Sequence, residues 1–218
     1  MNYFAHAIRF LDRPYFLAGT ALPDWLSVVD RRVRLRARRV QPFCTGGDAP
    51  AAEVAAGVLQ HLADDAWFHK TPAFAVSTAQ LTILFRAALP ADDGHRPAFL
   101  GHILTEMLLD AVLIERHPGR LADFYAALGQ LDPRVVEETA NLMAATTTNR
   151  LQAFIPLFAQ ERFLADYLDS QRLLWRLNQI LCRVRLHPLP SGVATSLDEA
   201  RRIVRGHVGG LLPADFLT

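Results

Sequence analysis

Histidines and acidic residues recur at helical spacing in two separate stretches of the chain. One stretch carries His61, Asp65 and His69, and the other carries His102, Glu106 and Asp110. Residues four apart lie one above the other on the same face of an α-helix. Two such faces on neighbouring helices would bring imidazole and carboxylate groups together as the ligands of a metal site.

The chain contains two such triplets, which is more than chance predicts. With 8 histidines and 22 acidic residues in 218, about 0.15 triplets of this kind are expected in a chain of this length. Metal-assisted hydrolysis of a phosphoester requires ligands held on rigid backbone, and mixed imidazole and carboxylate ligands suit Zn²⁺, Mn²⁺ or Fe²⁺. A site with one metal ion and a site with two are both compatible with the spacing. Ion pairs on a solvated helix face are the alternative interpretation of both sets.

Two acidic residues on these helices are expected to have roles other than direct metal binding. Asp110 lies two turns from His102, so we expect it to orient a ligand or to relay a proton. Asp64 is rotated by roughly 100 degrees from Asp65 on a helix, which predicts a solvated side chain, with a proton relay as the alternative.

Helical signals extend over the whole chain and position these residues. Apolar residues recur at helical spacing, proline and glycine separate the segments, and no strand pattern appears. Thr71-Pro72 predicts the start of a helix, so we expect the preceding helix, from 51 to 69, to end with His69 in its last turn. Gly19 and Pro23 predict irregular backbone, with Asp24 opening the next helix. Ser196 to Glu199 fits a capping box for a last helix.

The sequence therefore predicts an all-α bundle of about eight to ten helices in a single domain over residues 1–218. Residues 187–218 are expected either to extend that domain at its carboxyl end, covering the site, or to close the bundle.

One strongly charged segment stands out from a nearly neutral chain. Six arginines lie between Asp30 and Val40: Arg31, Arg32, Arg34, Arg36, Arg38 and Arg39. A solvated helix face is one interpretation, and a docking surface for an acidic or phosphorylated partner is the other. The segment lacks the interleaved aromatic residues of a base-stacking surface, so nucleic-acid binding is not expected.

Bulk properties limit the remaining function classes. The formal net charge is +1, and the two cysteines, Cys44 and Cys182, are too few for a disulfide framework. We expect free thiols, a cytoplasmic location and no membrane span. Neither a serine nucleophile elbow nor a phosphate-binding glycine loop occurs. The sequence does not indicate an oligomeric state.

Three segments together resemble the acyl carrier protein phosphodiesterase family. They are Met-Asn-Tyr-Phe-Ala-His6, Gly19-x-x-x-Pro23-Asp24 and His61-x-x-x-Asp65. The segment from Tyr167 to Arg185 is similar to that family's late helix, which ends in an arginine-rich stretch. Gly19 to Asp24 and Gly101-His102 also resemble the zinc-dependent phospholipase C-like group.

The resemblance implies an all-helical fold related to the HD phosphohydrolases. It also implies hydrolysis, with a divalent metal, of the phosphodiester between 4′-phosphopantetheine and a carrier-protein serine. Carried over by position, it adds His6 and Asp24 to His61 and Asp65 as metal or catalytic residues. The chain departs from the family pattern at His69, where a carboxylate is expected, and at Glu106 and Asp110, which have no clear counterpart.

Two function hypotheses follow. The first is a metal-dependent phosphodiester hydrolase in which Asp65 and Asp110 also serve catalysis and Arg31, Arg32, Arg34 and Arg36 bind the partner or substrate. Its metal ligands would be His6, Asp24, His61, Asp65, His69, His102 and Glu106. The second hypothesis is a helical binding or scaffolding protein that keeps the bundle without catalysis.

Overall fold

Residues 1–47, 49–90, 94 and 96–216, which this computed structural model describes, form eleven α-helices and no strand. The helices are α1 (Tyr3–Ala7), α2 (Pro14–Val29), α3 (Ala37–Val40), α4 (Pro50–Phe68), α5 (Pro72–Ala88), α6 (Pro97–Arg116), α7 (Pro118–Leu128), α8 (Pro133–Met143), α9 (Leu151–Glu161), α10 (Ser170–Arg183) and α11 (Ala194–Leu211). Short 3₁₀ helices occupy Gln41–Thr45, Phe163–Leu168 and Ser191–Val193. The predicted all-α fold is confirmed, with more helices than expected.

Proline at the first position starts six of these helices, namely α2, α4, α5, α6, α7 and α8. Proline suits this position because the first amide of a helix has no partner within the helix. Side-chain caps add to the signal: Thr71 accepts a hydrogen bond from the backbone N–H of Phe74, and Asp132 accepts one from that of Arg134. The predicted helix start at Thr71-Pro72 is therefore confirmed, and Asp132-Pro133 starts α8 in the same way.

Helix α2 differs from the sequence prediction. It runs unbroken through Gly19 and Pro23, so Asp24 lies inside the helix and does not cap its start. Proline inside a helix removes one hydrogen bond and crowds the preceding turn. Here that cost is offset by burial, since Trp25 and Leu26 just beyond the proline are almost fully inaccessible to solvent.

The described helices group into two compact units. The amino-terminal unit comprises Tyr3–Ala66 and His117–Arg162, and α2 is its central helix, packing against α1, α7, α8 and α9. The rings of Phe154 and Phe158 meet the Trp25 ring edge-on, at centroid distances of 6.5 and 5.4 Å. The prediction of a single domain stays a prediction.

The carboxy-terminal unit comprises Met1–Asn2, Trp67–Arg116 and Phe163–Thr218. Its centre is formed by α5, α6 and α11, each of which packs against the other two. Helix α11 buries a stripe that includes Leu197, Val204 and Leu211. Helix α11 therefore contributes to the core of this unit. The helix starts at Ala194, ahead of the predicted capping box, and its N-cap residue Val193 makes no side-chain cap.

One helix, α6, is long and apolar enough to cross a membrane when judged by length and composition alone. The expectation that the chain does not span a membrane stays a prediction. Within the structure 67% of its most apolar stretch is buried. A core helix of a soluble protein has the same properties, and α6 contacts α5 and α11 within its unit.

Candidate metal centre

His6, His61 and Asp65 converge in the amino-terminal unit. One potential ligand atom from each lies within 4.8 Å of those of the other two. His6 belongs to α1, whereas His61 and Asp65 occupy successive turns of α4. Both imidazoles are buried, and the carboxylate of Asp65 is 33% exposed. The triplet therefore has a buried imidazole side and a carboxylate that reaches solvent.

The position of His61 follows from a close crossing of α2 and α4. A Cβ atom placed on Gly19 would lie 2.9 Å from the Cα of Gly57, and would collide with the backbone oxygen of Val54. Only glycine at both positions permits the two backbones to approach so closely. The crossing sets the backbone of Thr20, the residue after Gly19, beside His61, one turn beyond Gly57.

At this crossing the Nδ1 atom of His61 lies 2.8 Å from the backbone oxygen of Thr20. A carbonyl oxygen can only accept, so Nδ1 carries the proton and Nε2 keeps its lone pair. Burial, together with the nearby charge of His6, lowers the pKa of His61 to about 3. The imidazole is thus neutral, which is the form that binds metals.

His6 has the same arrangement with a different acceptor. Its Nδ1 atom lies 3.4 Å from Oδ2 of Asp64, and its Nε2 atom lies 3.3 Å from Oδ1 of Asp65. Nε2 is buried and has no hydrogen bond of acceptable geometry to any described residue. The ring stacks on His61 with a centroid distance of 4.1 Å. His6 therefore places a second Nε2 atom close to Asp65.

The charges around His6 explain its protonation. Burial lowers the pKa of His6, but the carboxylates of Asp64 and Asp65 outweigh that effect and raise it above its ordinary value. Burial raises the pKa of Asp65, but the nearby imidazole of His6 and the surrounding positive charge reverse this and hold that pKa well below its usual range. A bound cation would take the place of the proton on Nε2 of His6.

Asp64 is buried, with 1% of its side chain exposed, and the prediction that it is solvated is wrong. Arg9 donates to both carboxylate oxygens, at 3.0 and 2.8 Å, and Gln60 donates to Oδ1 at 2.8 Å. Sequence reasoning missed Asp64 because it considered only the face of α4 that bears Asp65. The rotation of Asp64 away from that face is what turns it toward His6 on α1.

A second triplet lies in the carboxy-terminal unit and comprises His69, His102 and Glu106. Oε1 of Glu106 lies 2.8 Å from Nε2 of His69 and 3.3 Å from Nε2 of His102. Helix α4 ends at Phe68, so His69 belongs to the turn that precedes the Thr71 cap and not to the last helical turn. The side chains of His69 and His102 are 34% and 48% exposed.

Charge and a close helix crossing also shape this second triplet. Burial raises the pKa of Glu106, but the amino terminus at 3.5 Å and hydrogen bonds with His102 and His69 bring it well below its usual range. A Cβ atom on Gly101 would lie 2.6 Å from the backbone oxygen of Thr78, so glycine lets α6 approach α5 next to His102.

The structure does not bring Asp24 or Asp110 into either triplet. Asp24 lies on α2 in the amino-terminal unit, and its charge contributes to raising the pKa of His6. Asp110 is fully buried on α6, in the carboxy-terminal unit. Their predicted roles as a metal ligand and as a catalytic residue stay predictions.

The arginine-rich segment is exposed but is only partly helical. Residues 31–36 form a turn and extended backbone before α3 begins at Ala37. The interpretation of the whole segment as one helix face is therefore wrong. Arg32 pairs with both carboxylate oxygens of Asp30, at 2.9 and 2.8 Å, and Arg31 donates to the backbone oxygen of Ser27. Arg34 and Arg36 are exposed as well.

The other histidines that the structure describes lie apart from both triplets. His117 precedes α7, His187 is exposed in a loop, and His207 on α11 lies 2.9 Å from the side-chain oxygen of Gln80. His95 lies outside the described residues. Comparison of the chain with protein families, with curated proteins and with solved structures finds no match. A function for the chain is therefore inferred from its own residues.

Proposed function

We propose that the protein is a divalent-metal-dependent phosphodiester hydrolase whose ion is held by His6, His61 and Asp65. One observation carries this proposal: both buried imidazoles use Nδ1 for an acceptor within the protein, and both have Nε2 near the same carboxylate. Metal-binding histidines are held in this way, with the second ring nitrogen bonded to a carbonyl or carboxylate.

The donor set fits a Zn²⁺, Mn²⁺ or Fe²⁺ ion with open coordination positions. Two imidazoles and one carboxylate are three protein ligands, the number that catalytic sites use when they leave room for water or substrate. When bound, the ion supplies Lewis-acid chemistry, acidifying water and neutralising charge on phosphoryl oxygens. The residues of the chain hold the two ring nitrogens in place and exclude water from the imidazole side.

His69, His102 and Glu106 offer a second set of the same three ligand types, and we include them in the proposed metal chemistry. Asp24 and Asp110 complete the proposed set, the latter as an orienting group or proton relay. The fold is proposed to be related to the HD phosphohydrolases, on the resemblance of the segments around His6, Asp24 and His61.

The proposed substrate is the phosphodiester that links 4′-phosphopantetheine to a carrier protein, or a related phosphodiester. The resemblance to acyl carrier protein phosphodiesterases supports this choice, as does the exposed arginine segment. Arginine binds phosphate and carboxylate groups well, and an exposed positive segment speeds encounter with an acidic partner. Arg31, Arg32, Arg34 and Arg36 are proposed to dock the carrier protein.

The test measures metal content and hydrolysis in the same preparations. Protein purified without chelator is analysed for transition metals, then assayed for 4′-phosphopantetheine release from holo carrier protein and for cleavage of a bis-aryl phosphodiester. We expect bound metal and activity in the wild type and their loss in His61→Ala. His187→Ala, which removes an exposed loop histidine, is the matched control and should behave as wild type.

Three results would count against the proposal. Absence of transition metal, with no change in activity in His61→Ala, would overturn the hydrolase. Activity on the aryl diester alone would remove the carrier protein as substrate. Equal activity on holo carrier protein in an Arg34→Glu and Arg36→Glu double variant would remove the arginine segment as its dock.

A further inference from the structure

The buried carboxylate of Asp64 makes hydrogen bonds that converge from two elements. Arg9, just beyond α1, reaches both of its oxygens, and Gln60 reaches Oδ1 from the preceding turn of α4. Oδ2 also faces Nδ1 of His6 at 3.4 Å. Asp64 is thus not one of the candidate metal ligands, and through Oδ2 it contacts one of them, His6.

Burial of a carboxylate is costly unless charged and polar partners satisfy it. Arg9 supplies the charge, and it is only partly buried, with 26% of its side chain exposed. The two bonds from Arg9 and the one from Gln60 hold the carboxylate so that its Oδ2 atom also faces Nδ1 of His6. This arrangement fixes the carboxylate before any ion is bound.

We propose that Asp64 is a positioning residue that holds His6 with its proton on Nδ1 and its Nε2 atom directed at the ion. An ionised carboxylate can only accept a hydrogen bond, so it selects the imidazole form protonated at Nδ1. Carboxylates in this position also make the imidazole a stronger donor to the metal, and their loss weakens metal affinity by about 10- to 100-fold.

The two imidazoles differ in how this control is built. The acceptor for His61 is a backbone carbonyl, which no substitution removes, whereas the acceptor for His6 is a side chain. Asp64 is therefore the position at which the affinity of the site can change without altering a ligand. The proposal rests on the metal site of the proposed function, so its test must separate the two.

The test is titration of the chelator-treated full chain with Co²⁺, followed by its visible absorption, in the wild type, Asp64→Leu, Asp64→Asn and His61→Ala. We expect Co²⁺ to bind about 10- to 100-fold more weakly to Asp64→Leu. Asp64→Asn should lose less, because its amide oxygen can still accept from Nδ1. Asp123→Leu is the matched control, since it makes the same exchange at an exposed position of α7; its Co²⁺ affinity should equal that of the wild type.

A second measurement addresses His6 directly. In metal-free protein with ¹⁵N-labelled histidine, at a pH at which the His6 ring is neutral, its nitrogen shifts should show the proton on Nδ1 in the wild type and a different proton distribution in Asp64→Leu. If that variant does not fold, Asp64→Ala, which also lacks a side-chain acceptor, decides through its Co²⁺ affinity and the same shifts.

The outcomes distinguish the two levels of inference. Wild-type protein that binds no Co²⁺ would overturn the proposed function and the positioning role with it. Wild-type binding that is lost in His61→Ala but unchanged, within about 2-fold, in folded Asp64→Leu would overturn the positioning role alone. Identical His6 shifts in the wild type and the Asp64 variant would overturn it as well.

Discussion

The two triplets contain the same three kinds of residue in different surroundings. His6 and His61 are buried and each has an acceptor for Nδ1, from Asp64 and from the Thr20 carbonyl. In the other triplet, the histidines are partly exposed and both approach the same oxygen of Glu106. Residue type and spacing therefore create the opportunity for metal binding, whereas burial and fixed ring orientation determine how well the ligands are prepared.

A pair of residues on one helix recurs in both triplets. Each triplet combines a histidine and an acid four residues apart on one helix, His61 with Asp65 or His102 with Glu106, with a histidine from outside that pair. The residues at the ends of the two sequence ladders, His69 and Asp110, do not join the triplet of their own pair. A helical pair is therefore the informative signal, and the third ligand depends on the fold.

The largest expected difference between the triplets is in metal affinity. His61→Ala should weaken Co²⁺ or Zn²⁺ binding by at least about 100-fold, because a lost ligand costs more than the 10- to 100-fold of an outer partner. His102→Ala should weaken the binding of these ions by less than about 10-fold, since burial does not fix the ring of His102. Competition with a chromophoric chelator measures both. Equal losses would mean that burial does not distinguish the triplets.

The close crossing beside the buried triplet should be sensitive to a single methyl group. Gly57→Ala is expected to lower the free energy of unfolding by about 2–3 kcal/mol, because the new Cβ would meet the backbone of α2. Gly119→Ala on α7 is the control, since no atom lies within 4 Å of its added Cβ. Urea unfolding measures both. A cost below that of the control would contradict the crossing.

Acid should destabilise the metal-free protein through His61. Its folded pKa of about 3 lies below the unfolded value near 6.5, so the unfolded chain binds more protons between these pH values. Lowering the pH from 7 to 5 should therefore remove about 2 kcal/mol from the free energy of unfolding. His6, with its raised pKa, contributes in the opposite sense, because its stabilisation is full below 6.5 and is lost as the pH rises.

His61→Leu is the matched variant for this pH dependence. It removes the group that titrates only on unfolding, so its free energy of unfolding should change less between pH 7 and pH 5. Asp65 and Glu106 have lowered pKa values, and their contribution is lost only at lower pH, below their unfolded values near 4. Equal slopes for wild type and His61→Leu over this range would contradict a neutral buried His61.

The smallest effect is expected in the exposed triplet without metal. His102→Gln should change the free energy of unfolding by about 0.5 kcal/mol, because an exposed ion pair with Glu106 contributes little. Added salt should reduce that difference further. Thermal unfolding at two salt concentrations measures it. A loss above about 2 kcal/mol would show that this triplet stabilises the fold, unlike a surface ion pair.

Much of the fold could be predicted from local signals. Thr71-Pro72 and Asp132-Pro133 mark helix starts because their side chains and rings satisfy local geometry, independent of the rest of the chain. Pro23 misled the prediction because its local cost is outweighed by burial around Trp25, which depends on packing partners distant in sequence. The capping-box pattern at Ser196 failed for a similar reason, since α11 begins earlier, directly after a 3₁₀ turn.

The site was predictable only in part. Spacing selected His61, Asp65, His69, His102 and Glu106, whereas His6 came from the resemblance alone. Asp64 was assigned to solvent because helical periodicity describes one helix at a time. Its burial results from α1 and Arg9, and the carbonyl of Thr20 carries no sequence signal at all.

The crossing at Gly19 and Gly57 has a consequence for any attempt to move this site into another protein. The acceptor that holds His61 is main chain, and its position is set by two missing side chains on separate helices. A scaffold given His6, His61 and Asp65 without that helix contact would have the ligands but no means of orienting the second ring. The transferable unit is thus a pair of touching backbones together with the three side chains.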